Sequence, residues 1–323
     1  MISDIPLICV VGPTAVGKTA FSLELAKAFE TEIINVDPVQ IYKKLDIGSA
    51  KPSKKELEAV KHHLVSLLSP DESINAAKYV KLADPIINDF LENKKKTVIL
   101  SGGSNLYLKS ILYGLPKGLK ANEGFREELE KLTNKQLYSK LEVVDKDILG
   151  KLHVNDRKRL IRYLEIHKIT NSKPSVYLRE NQNHLKYNII VIVLGMDREL
   201  LYDRINQRVL EMVDIGLIDE VKSLIDEYGE NIDCLKNIGY FETKKHLLGL
   251  KTKEELILEI SQNTRRFAKR QLTFWRNEPL KLGLKGIDIS GLDGIGVNYI
   301  DVLKTILPIV NKNANIVDIF INN

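Results

Sequence analysis

One stretch of sequence determines the predicted fold: Leu7-Ile8-Cys9-Val10-Val11-Gly12-Pro13-Thr14-Ala15-Val16-Gly17-Lys18-Thr19. An apolar, β-branched run leads into a glycine-containing loop, and apolar residues then recur with a period near 3.6. This order predicts a buried strand, a loop and a helix. Residues 12–19 fit the phosphate-loop pattern G-x-x-x-x-G-K-[ST], and they lie between strand and helix, where that pattern functions.

The loop predicts an anion site. Its amides and the helix N-terminus face the anion, Lys18 adds a positive charge, and the Thr19 hydroxyl is placed to hold Mg²⁺. We therefore predict that the site is formed by Gly12, Pro13, Thr14, Ala15, Val16, Gly17, Lys18 and Thr19. The loop alone leaves open whether the anion is a nucleoside triphosphate or a pyrophosphate.

Further strands and helices alternate along the chain. Apolar strand patterns cover residues 32–36, 97–100 and 188–194, a helical stripe starts at Ala76, and long helices are predicted over 198–228 and 254–275. The residues after Glu278 show no clear pattern. Such alternation predicts an α/β protein: a P-loop NTPase-like parallel sheet flanked by helices, with ligands at the carboxyl ends of the strands.

A charged helical segment interrupts this pattern. We assign residues 1–117 and 188–323 to the P-loop core and residues 118–187 to a helical insertion. Between Lys151 and Tyr187 there are nine Lys/Arg and three Asp/Glu, a local excess of +6, whereas the whole chain has a net charge of only +5. The insertion is therefore the predicted site for a nucleic acid.

Composition excludes several classes of protein. Hydrophobic residues make up 44% and charged residues 28% of the 323 residues, as in ordinary globular proteins. No apolar run approaches the roughly 18 residues that a membrane helix needs, so we expect a soluble protein. The N-terminal Met-Ile-Ser-Asp lacks the basic and then apolar pattern of a signal peptide, so we expect a cytoplasmic location. Cys9 and Cys234 are the only cysteines, which argues against a disulfide framework and against a zinc site.

Asp37 closes the strand beside the loop strand, so its carboxylate should point into the crevice that contains Lys18. It is a candidate general base or magnesium ligand, although a helix cap is also plausible and is compatible with catalysis. The strand over 97–100 ends in Ser101-Gly102-Gly103-Ser104 and lacks the carboxylate that many ATPases carry there. This weakens the case for an ATP hydrolase.

An ordered series of motifs resembles the tRNA dimethylallyltransferases. After the P-loop come Asp37-Pro38-Val39-Gln40-Ile41-Tyr42, Asp46-Ile47-Gly48-Ser49-Ala50-Lys51-Pro52, Gly102-Gly103-Ser104-Asn105-Leu106-Tyr107, Asn155-Asp156-Arg157-Lys158-Arg159, Asp219-Glu220-Val221 and Thr264-Arg265-Arg266-Phe267-Ala268-Lys269-Arg270-Gln271. The resemblance spans roughly residues 7–276. The family commonly has Ser where this chain has Pro38, and Thr where it has Ser104.

The resemblance implies a specific reaction. Dimethylallyl pyrophosphate would bind at the P-loop with Mg²⁺ at Thr19, and its prenyl group would move to N6 of the adenosine immediately 3′ of the tRNA anticodon. Asp37, Ser104 and Arg208 are the expected catalytic residues, in a chain that acts as a monomer. The expected tRNA contacts are Asp37, Pro38, Val39, Gln40, Ser104, Arg126, Lys158, Arg159, Leu160, Ile161, Arg162, Arg265, Arg266, Lys269 and Arg270. Phe267 and Phe274 are expected in the core.

Three alternatives stay open. An adenylate isopentenyltransferase would act on free nucleotide, but it would not need the basic insertion. A P-loop nucleotide or metabolite kinase would use Lys18 and Asp37 equally well and would turn over ATP. A non-catalytic RNA-binding module leaves the phosphate loop without a purpose.

Overall fold

The computed structural model describes residues 3–115, 119, 121–150, 152–181, 184–282, 285–288 and 317–322. Two compact units are present, one of Met1–Leu112 with Lys186–Asn323 and one of Tyr113–Leu185. The predicted insertion, 118–187, differs from the second unit by five residues at its start and two at its end.

The first unit is built on a parallel sheet with seven described strands. They are β1 Leu7–Val11, β2 Ile33–Asn35, β3 His62–His63, β4 Ile99–Ser101, β5 Ile189–Gly195, β6 Lys285–Asp288 and β7 Val317–Asn322. Their order is β3-β2-β4-β1-β5-β7-β6, and every pairing is parallel. The predicted α/β class is confirmed, whereas the short β3 and the two C-terminal strands had no counterpart in the sequence analysis.

Strand β1 lies at the centre because its residues are apolar on both faces. All five are fully buried, as are most residues of β5 beside it, which is typical of a sheet covered on both sides. The expectation that the strand closed by Asp37 lies directly beside β1 is wrong, because β4 pairs between β2 and β1. The chain passes from β1 to β2 on this side, and β5 lies on the other side of β1. The carboxyl end of β1 is therefore a point where the direction of winding reverses, the usual ligand crevice of such sheets.

Helices of the first unit flank the sheet. They are α1 Lys18–Ala28, α2 Lys54–Ala59, α3 Ala76–Asn88, α4 Asn105–Tyr113, α10 Arg198–Asp214, α11 Leu217–Tyr228, α12 Tyr240–Leu247 and α13 Lys253–Leu282, where the last residue of α4 already belongs to the second unit. A π-helical turn, Asp89–Asn93, extends α3, and a short 3₁₀ turn, Asp233–Lys236, precedes α12. None of the described helices is long and apolar enough to cross a lipid bilayer.

One predicted helical stretch is divided in two. The sequence pattern suggested helix over 198–228, but the chain breaks between α10 and α11 at Gly216, whose φ is +113°. That left-handed conformation strains any residue with a Cβ, so glycine ends one helix and lets the next begin.

Helices are the only regular elements among the described residues of the second unit. They are α5 Glu123–Glu130, α6 Asn134–Val144, α7 Lys146–Leu149, α8 Arg157–Thr170 and α9 Pro174–Glu180. Leucines and Ile161 of α5 to α8 form a core of their own. A separate core means that this unit does not depend on the sheet to bury its apolar residues.

Candidate active site

The phosphate loop lies between β1 and α1, as predicted. Gly12 follows β1 with a φ of +144°, and a Cβ at this position would lie 2.5 Å from the Leu194 carbonyl oxygen of β5. Only glycine lets the loop pass so close to the neighbouring strand. Lys18 begins α1, and its Nζ donates hydrogen bonds to the carbonyls of Gly12 at 3.1 Å and Pro13 at 2.7 Å.

A cavity with two adjoining parts opens in front of this loop. The first part, the phosphate chamber, has a volume of about 280 Å³ and polar lining groups that include Lys18, Thr19, Asn35, Ser101, Gly103 and Gln271. The second part, the apolar chamber, also has about 280 Å³ and is lined by Pro38, Val39, Ile205, Val209, Met212, Ile238 and Ile260 among others. Both parts share Thr14, Ala15, Asp37, Ser49, Ala50, Arg208 and Phe267. The site therefore has a cationic end and an apolar end.

Asp37 stands where the two chambers meet. Its Oδ1 accepts hydrogen bonds from the backbone N–H groups of Val39 at 2.8 Å and Gln40 at 3.2 Å. Residues 38–41 form a turn and not a helix, so the expectation of a helix cap is wrong; Asp37 caps this turn and uses one carboxylate oxygen to do so. Burial raises the pKa of Asp37. The two N–H groups and the charge of Lys18 act in the opposite direction but do not cancel this effect. A carboxylate with a raised pKa is a stronger base than an exposed one.

Positive charge in the phosphate chamber comes from two desolvated cations. The pKa of Lys18 is lowered to about 8, mainly by burial. The Asp37 carboxylate acts in the opposite direction, and the Arg208 cation lowers the pKa further. Burial also lowers the pKa of Arg208, helped by neighbouring Arg204 and opposed by Glu211. Arg208 lines both chambers and projects from α10, one turn after Arg204, which lines the phosphate chamber alone. A bound anion would stabilise the charged forms of both cations, which burial disfavours.

The remaining predicted residues on this side are close to Asp37. Ser104, Pro38 and Val39 line the apolar chamber, and Gln40 lines the phosphate chamber. Gln40 Nε2 donates to the carbonyls of Ser49 at 3.0 Å and Ala50 at 3.1 Å, which fixes the segment that forms another wall. The structure thus brings Asp37, Ser104, Arg208 and the phosphate loop into one cavity.

Sequence reasoning missed the group that holds that wall. The Glu220 carboxylate accepts the N–H groups of Asp46, Ile47 and Gly48 at 2.7–3.1 Å and the Tyr240 hydroxyl at 2.8 Å. A Cβ on Gly48 would lie 2.7 Å from the Tyr240 ring. The Asp219-Glu220-Val221 motif was noted without a role, because nothing in the sequence indicates which loop its carboxylate binds.

It also missed most of the apolar chamber. Ile205, Val209 and Met212 recur at helical spacing on α10 and read from the sequence as ordinary core residues. Phe267 was expected in the core, and this prediction is wrong: its ring lines both chambers and is partly exposed. Phe274 is half-buried and packs edge-on against the buried Trp275, with ring centroids 5.1 Å apart.

No group of three or more His, Cys, Asp or Glu side chains in the described part of the chain is arranged to hold a metal ion. At the end of β4, where many ATPases place a carboxylate, the Ser101 hydroxyl accepts a hydrogen bond from Ser22 at 2.8 Å. Thr19 lines the phosphate chamber. The donor set suits Mg²⁺, which commonly takes few protein ligands and completes its shell with substrate phosphates and water.

Helix α13 presents basic residues on its exposed side. Arg266, Lys269 and Arg270 are exposed, whereas Arg265 is half-buried and donates a hydrogen bond to the Asn206 side chain. Three of the four predicted cations are therefore on the surface of the first unit.

The second unit carries the other predicted tRNA contacts on α5 and α8. Lys158 and Arg159 are exposed, and Asp156 caps α8 by accepting the Arg159 N–H at 3.3 Å. Arg126 and Arg162 both bind the fully buried Glu165, with Arg126 Nε 2.7 Å from its Oε1, so part of their charge is neutralised. Leu160 and Ile161 lie in the core of this unit, 0% and 6% exposed. Their prediction as tRNA contacts is wrong for the side chains, because apolar packing faces them inward.

Comparison with known proteins places this architecture in a family. The sequence profile described as IPP transferase matches residues 40–278. The tRNA dimethylallyltransferase of Oceanobacillus iheyensis is 42% identical over 277 residues, covering 84% of this chain and 88% of that protein. That of Bacillus subtilis is 40% identical over 278 residues, with the same coverage of 84% and 88%.

Solved structures agree with these sequences. A full-length tRNA isopentenylpyrophosphate transferase from Bacillus halodurans superposes with a TM-score of 0.66 at 34% identity, over 95% of this chain and 97% of that one. A eukaryotic dimethylallyltransferase acting on tRNA gives a TM-score of 0.80 at 27% identity, over 96% of this chain and 80% of that one. The chain therefore belongs to the IPP transferase family.

Proposed function

We propose that this protein transfers a dimethylallyl group from dimethylallyl pyrophosphate to N6 of the adenosine immediately 3′ of the tRNA anticodon, releasing pyrophosphate. The observation that carries the proposal is the two-part cavity: a cationic chamber at the phosphate loop meets an apolar chamber at Asp37 and Arg208. Such a site fits a donor with an anionic head and a short apolar tail. The names of the relatives support the same transferred group and tRNA as the acceptor.

The chemistry begins with the leaving group. The bond between C1 of the allyl group and the bridging oxygen breaks, and negative charge develops on the departing pyrophosphate. Lys18, Arg208 and the loop amides are set to stabilise that charge, and they act strongly because the chamber is partly desolvated. When bound, Mg²⁺ would add positive charge at the same pyrophosphate, held on the protein side by the Thr19 hydroxyl.

The acceptor amine needs a base, since an exocyclic amine conjugated to adenine is a poor nucleophile. The new bond joins N6 to C1, and the proton released from N6 passes to the free Oδ2 of Asp37. Oδ1 stays engaged with the N–H groups of Val39 and Gln40, which holds the carboxylate still. Ser104 lines the same chamber and would orient the amine through its hydroxyl.

An adenine within an anticodon loop must leave its stack to reach a buried site, at a cost of a few kcal/mol. Contacts to the phosphate backbone would offset this cost. We assign them to Arg266, Lys269 and Arg270 of α13 and to Lys158 and Arg159 of α8, all of which are exposed. We further propose that the protein acts as a monomer in the cytoplasm.

The direct test is mass analysis of nucleosides after incubation with dimethylallyl pyrophosphate, Mg²⁺ and an anticodon stem-loop. We expect N6-dimethylallyladenosine at the position 3′ of the anticodon, and none when EDTA replaces Mg²⁺. Parallel reactions with AMP as acceptor, and with ATP as donor, separate the alternatives. Prenylation of AMP at a comparable rate indicates an adenylate enzyme, and transfer of the γ-phosphoryl group indicates a kinase.

A further inference from the structure

Gln271 on α13 is a buried polar residue that the mechanism above does not use. Its side chain is 2% exposed, although it lies between the exposed Arg270 and the partly exposed Leu272. It reaches into the phosphate chamber, among Lys18, Gly103 and the start of the phosphate loop. A buried amide needs hydrogen-bond partners, and its partners here belong to two different loops.

The two ends of the amide join those loops. The Thr14 N–H of the phosphate loop donates to Gln271 Oε1 at 2.9 Å, and Gln271 Nε2 donates to the Gly103 carbonyl at 2.8 Å. The backbone fixes the orientation, since an N–H can only donate and a carbonyl can only accept. One side chain therefore connects the anion-binding loop with the loop that carries Ser104.

The site is built closely around this side chain. A Cβ on Gly103 would lie 2.2 Å from Gln271 Nε2 and 3.7 Å from Lys18 Nζ. On the other side of the same turn, a Cβ on Gly102 would lie 2.2 Å from the Val36 carbonyl oxygen, one residue before Asp37. The double glycine thus leaves room both for the glutamine and for the strand end that bears Asp37.

We propose that Gln271 is a positioning residue, a latch that holds the phosphate loop and the Ser104 loop in register so that donor and acceptor meet at the reacting distance. The proposal rests on the proposed function. It also assigns a second role to α13, because the helix with the exposed basic residues reaches the phosphate loop through this side chain.

Gln271→Met tests the latch with little change in shape. Methionine has a similar length and volume, but it cannot donate to the Gly103 carbonyl, and its thioether sulfur is only a weak acceptor for the Thr14 N–H. Because small misplacements of reacting groups are costly, we expect kcat with the anticodon stem-loop to fall about 10- to 100-fold. Affinity for inorganic pyrophosphate, measured by calorimetry on the folded protein, should also fall. A purely structural glutamine would lower the melting temperature and leave both values, per folded molecule, unchanged.

Gln271→Glu separates the two halves of the latch. An ionised carboxylate still accepts from Thr14 but repels the Gly103 carbonyl, whereas a protonated carboxyl makes both bonds. Burial raises the pKa of such a group and neighbouring Lys18 lowers it, so the ratio of variant to wild-type kcat should rise as pH falls from about 7 to about 5. The charged groups around the chamber are Lys18, Asp37, Glu56, Arg204 and Arg208. A carboxylate at 271 would raise the pKa of Lys18, so the ratio is measured below about pH 7, where Lys18 is charged in both proteins.

Gln262→Glu is the matched control, because it makes the same change at an exposed position of the same helix. Its ratio to wild type should stay near one throughout. Wild-type kinetics and pyrophosphate affinity in Gln271→Met, or a Gln271→Glu ratio that does not change with pH, would overturn the latch. Failure of the proposed function is distinguishable, because then the wild-type protein itself makes no prenylated nucleoside while the pyrophosphate titrations still report on Gln271.

Discussion

At the scale of single residues, Asp37 combines two roles that can be separated by one substitution. In Asp37→Asn the amide oxygen still accepts from Val39 and Gln40, so the turn is kept, but the base is lost. General-base assistance typically contributes about 10²- to 10⁴-fold, and we expect kcat to fall by that factor in single-turnover prenylation. Pyrophosphate should bind as well as before or better, because a negative charge near Lys18 is removed.

Asp226→Asn, at an exposed position of α11, is the control and should match the wild type. Turnover close to the wild-type rate in Asp37→Asn would remove Asp37 from the chemistry.

Lys18 makes a prediction about pH at the same scale. Its pKa is lowered to about 8 by burial, so the ammonium is charged below that pH and loses its proton above it. Only the charged form attracts an anion. The affinity for pyrophosphate should therefore fall as pH rises from about 7 to about 9. Calorimetry across this range checks it.

Lys18→Arg supplies the comparison, since a guanidinium stays charged throughout this range. The ratio of wild-type to Lys18→Arg affinity should fall with rising pH, which cancels the titration of pyrophosphate itself. A constant ratio would contradict the assignment.

At the scale of elements, α13 shows how one helix serves two purposes. Phe267 and Gln271 line the cavity, while Arg266, Lys269 and Arg270 are exposed. Cations that bind phosphates release counterions, so each contact steepens the salt dependence of binding. Replacing the three exposed cations by Ala should weaken stem-loop binding and reduce the slope of log affinity against log salt by up to about 3.

Fluorescence anisotropy over a salt series measures both quantities. Lys222→Ala, at an exposed position on α11, is the control and should leave the slope unchanged. Pyrophosphate affinity should be the same in all these variants, because none of the four residues lines the phosphate chamber. An unaltered slope in the triple variant would assign tRNA binding to other surfaces.

At the scale of the whole molecule, the two compact units should respond differently to ligand. The phosphate chamber is lined by residues of the first unit alone. Pyrophosphate at about 100 times its Kd stabilises the state that binds it by about 2.7 kcal/mol. Hydrogen exchange followed by mass spectrometry should therefore slow in peptides of the phosphate loop and α1, and stay unchanged in α8. Equal protection of α8 would show that the second unit also responds to the anion.

Elements with strong local signals could be predicted from the sequence without a structure. The buried run of β1, the loop from Gly12 to Thr19 and the basic α8 could each be read from neighbouring residues, since period, glycine and charge are local properties. Asp37 was placed in the crevice from its position at a strand end, whereas Ser104 and Arg208 joined it only with the help of the family resemblance. Their meeting in one cavity is a property of the parallel strand order, which brings distant strand ends to the same edge.

Contacts between residues far apart in the chain are seen only in the folded structure. Gln271 meets Thr14 across 257 residues, Glu220 binds the amides of residues 46–48, and Phe267 turns into the cavity instead of the core. No local pattern predicts these pairings. The spacing of residues along a helix shows which face a side chain is on, but not which residue packs against it. Packing around the sheet determines that partner. It therefore determines whether the apolar face of a helix lies in the core or lines an active site.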